Sequence, residues 1–195
     1  GGVADTLAYC AMEASEEDDV DTRAVESMTF GASDWHGDAC TKACLLEADR
    51  QVVFTDGACA NNQDCRFRRA GVGVFWAHGD ARNVSIALPG WTQINNRTEL
   101  LAVVMVLEDS LQPVDIRSDS AYVIDGCCMY RHTWKSIGWK IENVDLWKRA
   151  NVALDARAPG SVIFTKVKGH ATRGDVLAGV ITQQDRYGNH QADRL

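Results

Sequence analysis

Asp56, Glu99 and Asp119 are the residues of this chain whose types and spacing can do chemistry together. Asp56 follows the short β-branched and aromatic run Val52-Val53-Phe54, at an Asp-Gly pair that reads as a turn. Asp119 follows the brief apolar run Val114 to Arg117. If these runs are neighbouring parallel strands, joined through a crossover helix, both carboxylates leave the sheet at the same end. They would then lie about 5 Å apart, the spacing of adjacent strands. Two carboxylates that close repel each other unless a cation sits between them. Glu99, in the first turn of the intervening helix, can face the same point. An oxygen-only cluster suits a hard divalent cation such as Mg²⁺ rather than zinc. Asp in the turn after a strand is common, so the constellation carries more than any single member.

The elements that must position these groups are legible from residue 51 onward. Val52–Phe54, Gly71–Trp76 and Val84–Leu88 read as three strands with short connections, an antiparallel meander. Asn95-Asn96 can cap a helix from about Thr98 to Leu107, with Leu100, Leu101, Val104 and Leu107 at helical spacing. Pro113 breaks it. A fourth strand leads to Ser118-Asp119-Ser120, and Ser120 can cap a helix ending near Gly126. Trp134 and Trp139 lie on the next segment, Asn143 to Ala156 reads as a helix closed by Pro159-Gly160, and Val162-Ile163-Phe164 with Val167 forms a fifth strand. A final short piece surrounds Gln191. The order βββαβα(α)αβ describes an α/β domain with a mixed sheet.

Charge divides the chain in two. Residues 1–50 carry 12 acidic and 3 basic side chains, a net of −9, and residues 51–195 carry 15 and 17, a net of +2. The leading segment, with Glu16-Glu17-Asp18-Asp19, reads as a flexible acidic leader or a fragment of an upstream domain. The remainder, with its ligand carboxylates set aside, is mildly basic and compatible with a polyanionic partner. No apolar run approaches the ~18 residues that span a bilayer, so no membrane partner is expected. Gly1 in place of Met, with no basic and apolar leader, gives the expectation of a piece cut from a longer protein. Seven cysteines, two of them adjacent at 127 and 128, suggest no disulfide framework and so an intracellular, reducing compartment. His36, Cys40 and Cys44, with Cys10 as a distant fourth, have the spacing of possible zinc ligands, but no second tight pair closes the site.

The motifs that hold the three acids resemble, in order, those of type 1 ribonuclease H. They are Thr55-Asp56-Gly57-Ala58-Cys59, Asn95-Asn96-Arg97-Thr98-Glu99-Leu100 and Ser118-Asp119-Ser120-Ala121-Tyr122-Val123, then Lys168-Gly169-His170 and Gly188-Asn189-His190-Gln191-Ala192-Asp193. The resemblance covers about residues 51–195, and the long His170-to-Asp193 separation is closest in kind to retroelement-associated members. It implies a ribonuclease H-like fold, a five-stranded mixed sheet flanked by helices. It also implies an endonuclease that hydrolyses the RNA strand of RNA–DNA hybrids. Asp56, Glu99, Asp119 and Asp193 would hold two Mg²⁺ ions (Mn²⁺ being the alternative), ~4 Å apart. One ion would activate water and the other would stabilise the leaving oxygen, giving 5′-phosphate and 3′-hydroxyl ends. His170 would shuttle a proton or help product leave. Asn62, Asn95, Asn96, Tyr122, Tyr130, Trp134 and Asn143 would contact substrate, the asparagines through 2′-hydroxyls of the RNA strand. Trp134, Trp139, Lys135 and Lys140 form an aromatic-basic patch suited to the DNA strand.

The chain departs from the family pattern at four places. Ile94 stands where many members carry Thr, Tyr130 stands where a Trp often lines the DNA channel, and the basic protrusion after Trp139 is nearly absent. That combination predicts weak hybrid affinity that falls steeply with salt, or dependence on an attached domain such as a reverse transcriptase. Asp193 stands two residues from the chain end, where ends fray, so this ligand is expected to be poorly held. Residues 171–187, with Asp175 and Asp185, read as a long loop, a lid or an insertion. Two alternatives stay open: a non-catalytic nucleic-acid-binding or scaffolding domain of this fold in a retroelement polyprotein, and another metal nuclease or integrase on the same fold. A monomer is expected.

Overall fold

Alternation within the first strand divides its side chains between two cores, and the architecture follows from that division. The computed structural model describes residues 50–61, 64, 66–109 and 111–195. The acidic leader, the His36, Cys40 and Cys44 set and Asn62 lie outside the described residues. The elements run β1 Gln51–Ala60, β2 Arg69–Phe75, β3 Val84–Ala87, α1 Asn95–Asp109, β4 Val114–Ser118 and α2 Ala121–Asp125. A π-helical turn, Gly126–Tyr130, leads into α3 Arg131–Ser136, α4 Val144–Asp155, β5 Val162–Lys166, α5 Arg173–Leu177 and α6 Gln183–Arg194. The sheet order is β3-β2-β1-β4-β5. β1, β2 and β3 are an antiparallel meander, and β4 and β5 run parallel to β1, so the expected five-stranded mixed sheet is present.

Successive strand residues face opposite sides. Val53, Val72, Val74 and Ile116 join Leu100, Val103, Val104, Leu107 and Trp147 in the larger core, beneath α1 and α4. Phe54 and Phe75 face the other way and pack with Ala192 of α6. Helix α1 is buried at nearly every position from Thr98 to Leu107, as a helix caught between a sheet and a second helix must be.

Five local readings change. β1 does not end at Asp56: it continues to Ala60 and pairs Asp56 with Gly73 of β2. Gly57 is extended backbone rather than a turn, and a Cβ there would strike the Thr98 side chain and the backbone of Glu99. Helix α1 begins at Asn95, three residues earlier than expected. Gly126 does not stop a helix but opens the π-helical turn, and a Cβ on it would overlap the Trp147 ring.

The stretch 171–187 is not one long loop. Thr172 and Asp175 form a reciprocal capping box on α5, and the Thr182 hydroxyl accepts from the Asp185 amide to start α6. Asp185 is ion-paired with Arg117, which also binds Asp115 at 3.0 Å, so it is engaged away from the acidic cluster. Finally, Asp193 sits in the last turn of α6 rather than on a frayed end. That helix lies so close to the sheet that Gly73 faces the Ala192 carbonyl and Gly188 the Phe54 ring, with no room for a Cβ at either glycine.

Candidate active site

Thr55 of β1 pairs with Ser118 of β4, so Asp56 and Asp119 leave adjacent parallel strands at the same end of the sheet. Glu99, one turn into α1, enters from above, through the close approach that Gly57 permits. Ligand oxygens of Asp56, Glu99 and Asp119 all lie within 4.8 Å of one another. The three acids open on a cleft of about 470 Å³ that is also lined by Asn95, Asn96, Ser120, Tyr122, His170 and Asp193. Asp193 thus faces the same cleft from α6, beside the tight group of three.

The cluster is electrostatically unfavourable by itself. Burial, and after it the charges of Asp56 and Asp119, push the Glu99 carboxyl up to about 9. Burial and the Asp119 charge push Asp56 up to about 7, against a 2.7 Å hydrogen bond that its Oδ1 accepts from the Gly57 amide. Glu99 Oε1 accepts from Asn95 Nδ2 at 3.3 Å, whereas its Oε2 is buried with no protein partner. A buried carboxylate oxygen left open, facing two further carboxylates, fits a cation with hard oxygen preference.

A pH dependence follows. Both carboxyls have folded values above the unfolded ones, so their contribution to stability is fully present below about pH 4 and is lost as pH rises through about 7 and then about 9. In EDTA, the urea midpoint is expected to fall between pH 5 and pH 9. Addition of Mg²⁺ at the high-pH end should restore it. A midpoint that is flat with pH, or that rises, contradicts this picture of the cluster.

His170 lies on the rim, exposed, in the left-handed region at φ 47°. The preceding Gly169 packs directly on the Asp119 carboxylate, and a Cβ there would displace that group. Of the other residues the sequence singled out, Asn95, Asn96 and Tyr122 line the cleft. Tyr130, Trp134 and Asn143 do not. They connect to it through Tyr122, whose hydroxyl accepts from Asn143 Nδ2 at 3.2 Å and from the Trp147 indole at 2.7 Å. The rings run on from Tyr122 through Trp147 and Trp134 to Tyr130, at centroid distances of 5.4, 4.8 and 5.7 Å. Trp134 and Trp139 are half-buried against the core. Lys135 is tied to Asp155 at 3.1 Å, which weakens its role in the expected basic patch, while Lys140 is exposed.

Sequence reasoning did not single out Trp147, the buried hub of this aromatic row. Nor did it single out Arg97, which binds Asp145 at 2.5 Å and reaches Asn143, fixing the start of α4 against α1. Asn189 was quoted within a motif but given no role, although its spacing of four residues from Asp193 places the two on one helix face.

Comparison with known proteins bears on the family and the fold. A family model described as RNase H matches residues 48–195. A ribonuclease H of Schizosaccharomyces pombe is 37% identical over 154 residues, 76% of this chain and 52% of that protein, so the chain spans about half of that relative's length. One from Rhodopseudomonas palustris is 38% identical over 150 residues, 69% of this chain and 91% of that protein. Among solved structures, LC9-RNase H1, a type 1 RNase H with the type 2 active-site motif, matches with a TM-score of 0.51 and 28% identity. It covers 74% of this chain and 72% of that one. The PFV RNase H domain has a TM-score of 0.58 at 22% identity, covering 75% and 91%, a likeness of fold.

Proposed function

Because this chain belongs to the RNase H family, we propose that it hydrolyses the RNA strand of RNA–DNA hybrids with two divalent cations held by Asp56, Glu99, Asp119 and Asp193. The products would carry 5′-phosphate and 3′-hydroxyl ends. The observation that carries the reading is the cluster itself: three acids within 4.8 Å of one another, with a buried, unpartnered oxygen on Glu99. Bound there, Mg²⁺ would polarise the scissile phosphate and acidify water.

The chain's own residues do the rest. Asn95 steadies Glu99 by its amide, and with the exposed Asn96 offers donors and acceptors to 2′-hydroxyls, the groups that mark one strand of a hybrid as RNA. Tyr122 carries the cleft toward the aromatic row, where the exposed face of Tyr130 can take a sugar or base of the opposite strand. His170, on the rim beside the backbone that packs on Asp119, can exchange a proton with solvent at the point where product leaves.

The test is a labelled RNA–DNA hybrid beside an RNA duplex and a DNA duplex, each with Mg²⁺ or EDTA. Cleavage of hybrid RNA alone, dependent on Mg²⁺, supports the proposal. Equal cutting of the RNA duplex, or cutting in EDTA, defeats it.

Affinity should be modest and salt-sensitive. Arg97, Arg131, Lys135 and Arg149 each hold an acidic partner on the protein, which leaves fewer cations for phosphates and a shallower slope than the sequence alone suggests. For two to four phosphate contacts, hybrid affinity is expected to fall about 10- to 100-fold between 50 and 200 mM salt. An affinity unchanged over that range would contradict it.

A further inference from the structure

We infer that Asn189 is a positioning residue that fixes the Asp119 carboxylate for metal binding, an inference that rests on the metal-dependent reading above. Asn189 lies on α6, is 5% exposed, and donates from Nδ2 to Asp119 Oδ2 at 3.2 Å. Its Oδ1 is buried with no protein partner. The orientation is chemically determined, since the reversed amide would set a carbonyl oxygen against a carboxylate oxygen. An amide kept in the interior with one end unsatisfied is a poor packing element, because a buried acceptor with no donor is costly and an apolar side chain carries no such cost. What the amide supplies is the donor, and the donor meets a metal-ligand candidate.

The backbone makes this contact rigid. Gly188, immediately before Asn189, lies on the Phe54 ring, and Gly73 faces the Ala192 carbonyl, so α6 is held against β1 and β2 on either side of the amide. Gly169 packs against the same carboxylate oxygen of Asp119 that Asn189 binds. Asn189 and Asp193 are one turn apart, and both border the small cleft that also holds His170. A single helix therefore contributes a carboxylate of its own to the site and orients a second one that immediately follows β4. Partners that orient metal ligands typically govern affinity about 10- to 100-fold.

The experiment is an Mg²⁺ titration followed by amide NMR shifts on the full 195-residue chain and its Asn189→Ala, Asp119→Asn and double variants. Urea midpoints in EDTA would verify folding, and Asn189→Ser would stand in should the alanine variant fail to fold. Asn189→Ala is expected to weaken Mg²⁺ by about tenfold or more in the wild-type background. In the Asp119→Asn background the same change should leave affinity unaltered, since the orientation it controls has lost its charge. Hybrid turnover should fall in kcat with KM preserved. Unchanged Mg²⁺ affinity in the wild-type background, or an equal loss in both, overturns the inference and indicates a merely structural amide. If the unmodified chain shows no Mg²⁺-dependent shifts at all, the metal-dependent reading fails, and this inference with it.

Discussion

A Glu99→Gln variant is expected to lose hybrid cleavage by at least about 100-fold and yet to be more stable than the parent in EDTA at pH 8. The two effects have one origin. Glu99 is buried beside two carboxylates, and its Oε2 has no protein partner, so without a cation the folded state holds its carboxyl at about 9, far above its unfolded value. The amide has the same shape and does not ionise, so the substitution relieves roughly 1–3 kcal/mol of destabilisation. It also removes a hard anionic ligand, and with it a large share of the several kcal/mol that a metal contributes to phosphoryl chemistry. Urea midpoints in EDTA and initial rates in Mg²⁺ measure the two sides separately. The stability gap should shrink in Mg²⁺, because the cation binds the native parent more tightly than the variant. A variant that still cleaves at the parental rate, or that is less stable than the parent in EDTA, would show that Glu99 is held by something other than a cation.

Trp147→Ala is expected to cost about 3–5 kcal/mol, a large fraction of the stability of a domain this size. Trp147 is 1% exposed, donates to the Tyr122 hydroxyl, touches Trp134, and fills the space left by Gly126. Its removal empties the junction between α1, α4 and the π-helical turn, and it releases both Tyr122 at the cleft and the ring row leading to Tyr130. Trp147→Phe separates the packing from the hydrogen bond: it should cost less, about 1–2 kcal/mol, and chiefly raise KM for the hybrid. A urea series together with steady-state kinetics on both variants would decide this. An alanine variant with an unchanged midpoint would show that Trp147 does not hold this junction together.

The sheet was legible because its evidence is local. Short β-branched runs, their alternation and the apolar spacing of α1 all report their own surroundings. The three acids were legible because each follows or opens such an element. What misled were glycines. Gly57 and Gly126 read as a turn and a helix stop, since glycine serves both purposes. Each is required instead by a long-range approach, the first by α1 and the second by the Trp147 ring, and nothing local distinguishes those uses. The stretch 171–187 is a different case. Thr172 with Asp175, and Thr182 with Asp185, carry the threonine-x-x-acid cap signature in plain view. The loop reading passed over them, although the same acids are engaged by the local caps, by Lys168 and by Arg117. Trp147 and Asn189 were not legible as functional residues, because each acts through a partner distant in sequence.

The π-helical turn Gly126–Tyr130 bears on how such chains can vary in length. A turn of this kind accommodates one residue more than an α-turn. Loss of a single residue there would let the backbone close into an ordinary α-helix with its hydrogen bonds intact. The surplus residue is absorbed within that one turn, so the helix beyond the deletion would keep its facing. Trp134 would stay on the Trp147 face that it meets at 4.8 Å. A one-residue change of length at this point is therefore taken up locally, leaving both the face offered to the opposite strand and the acidic cluster in place.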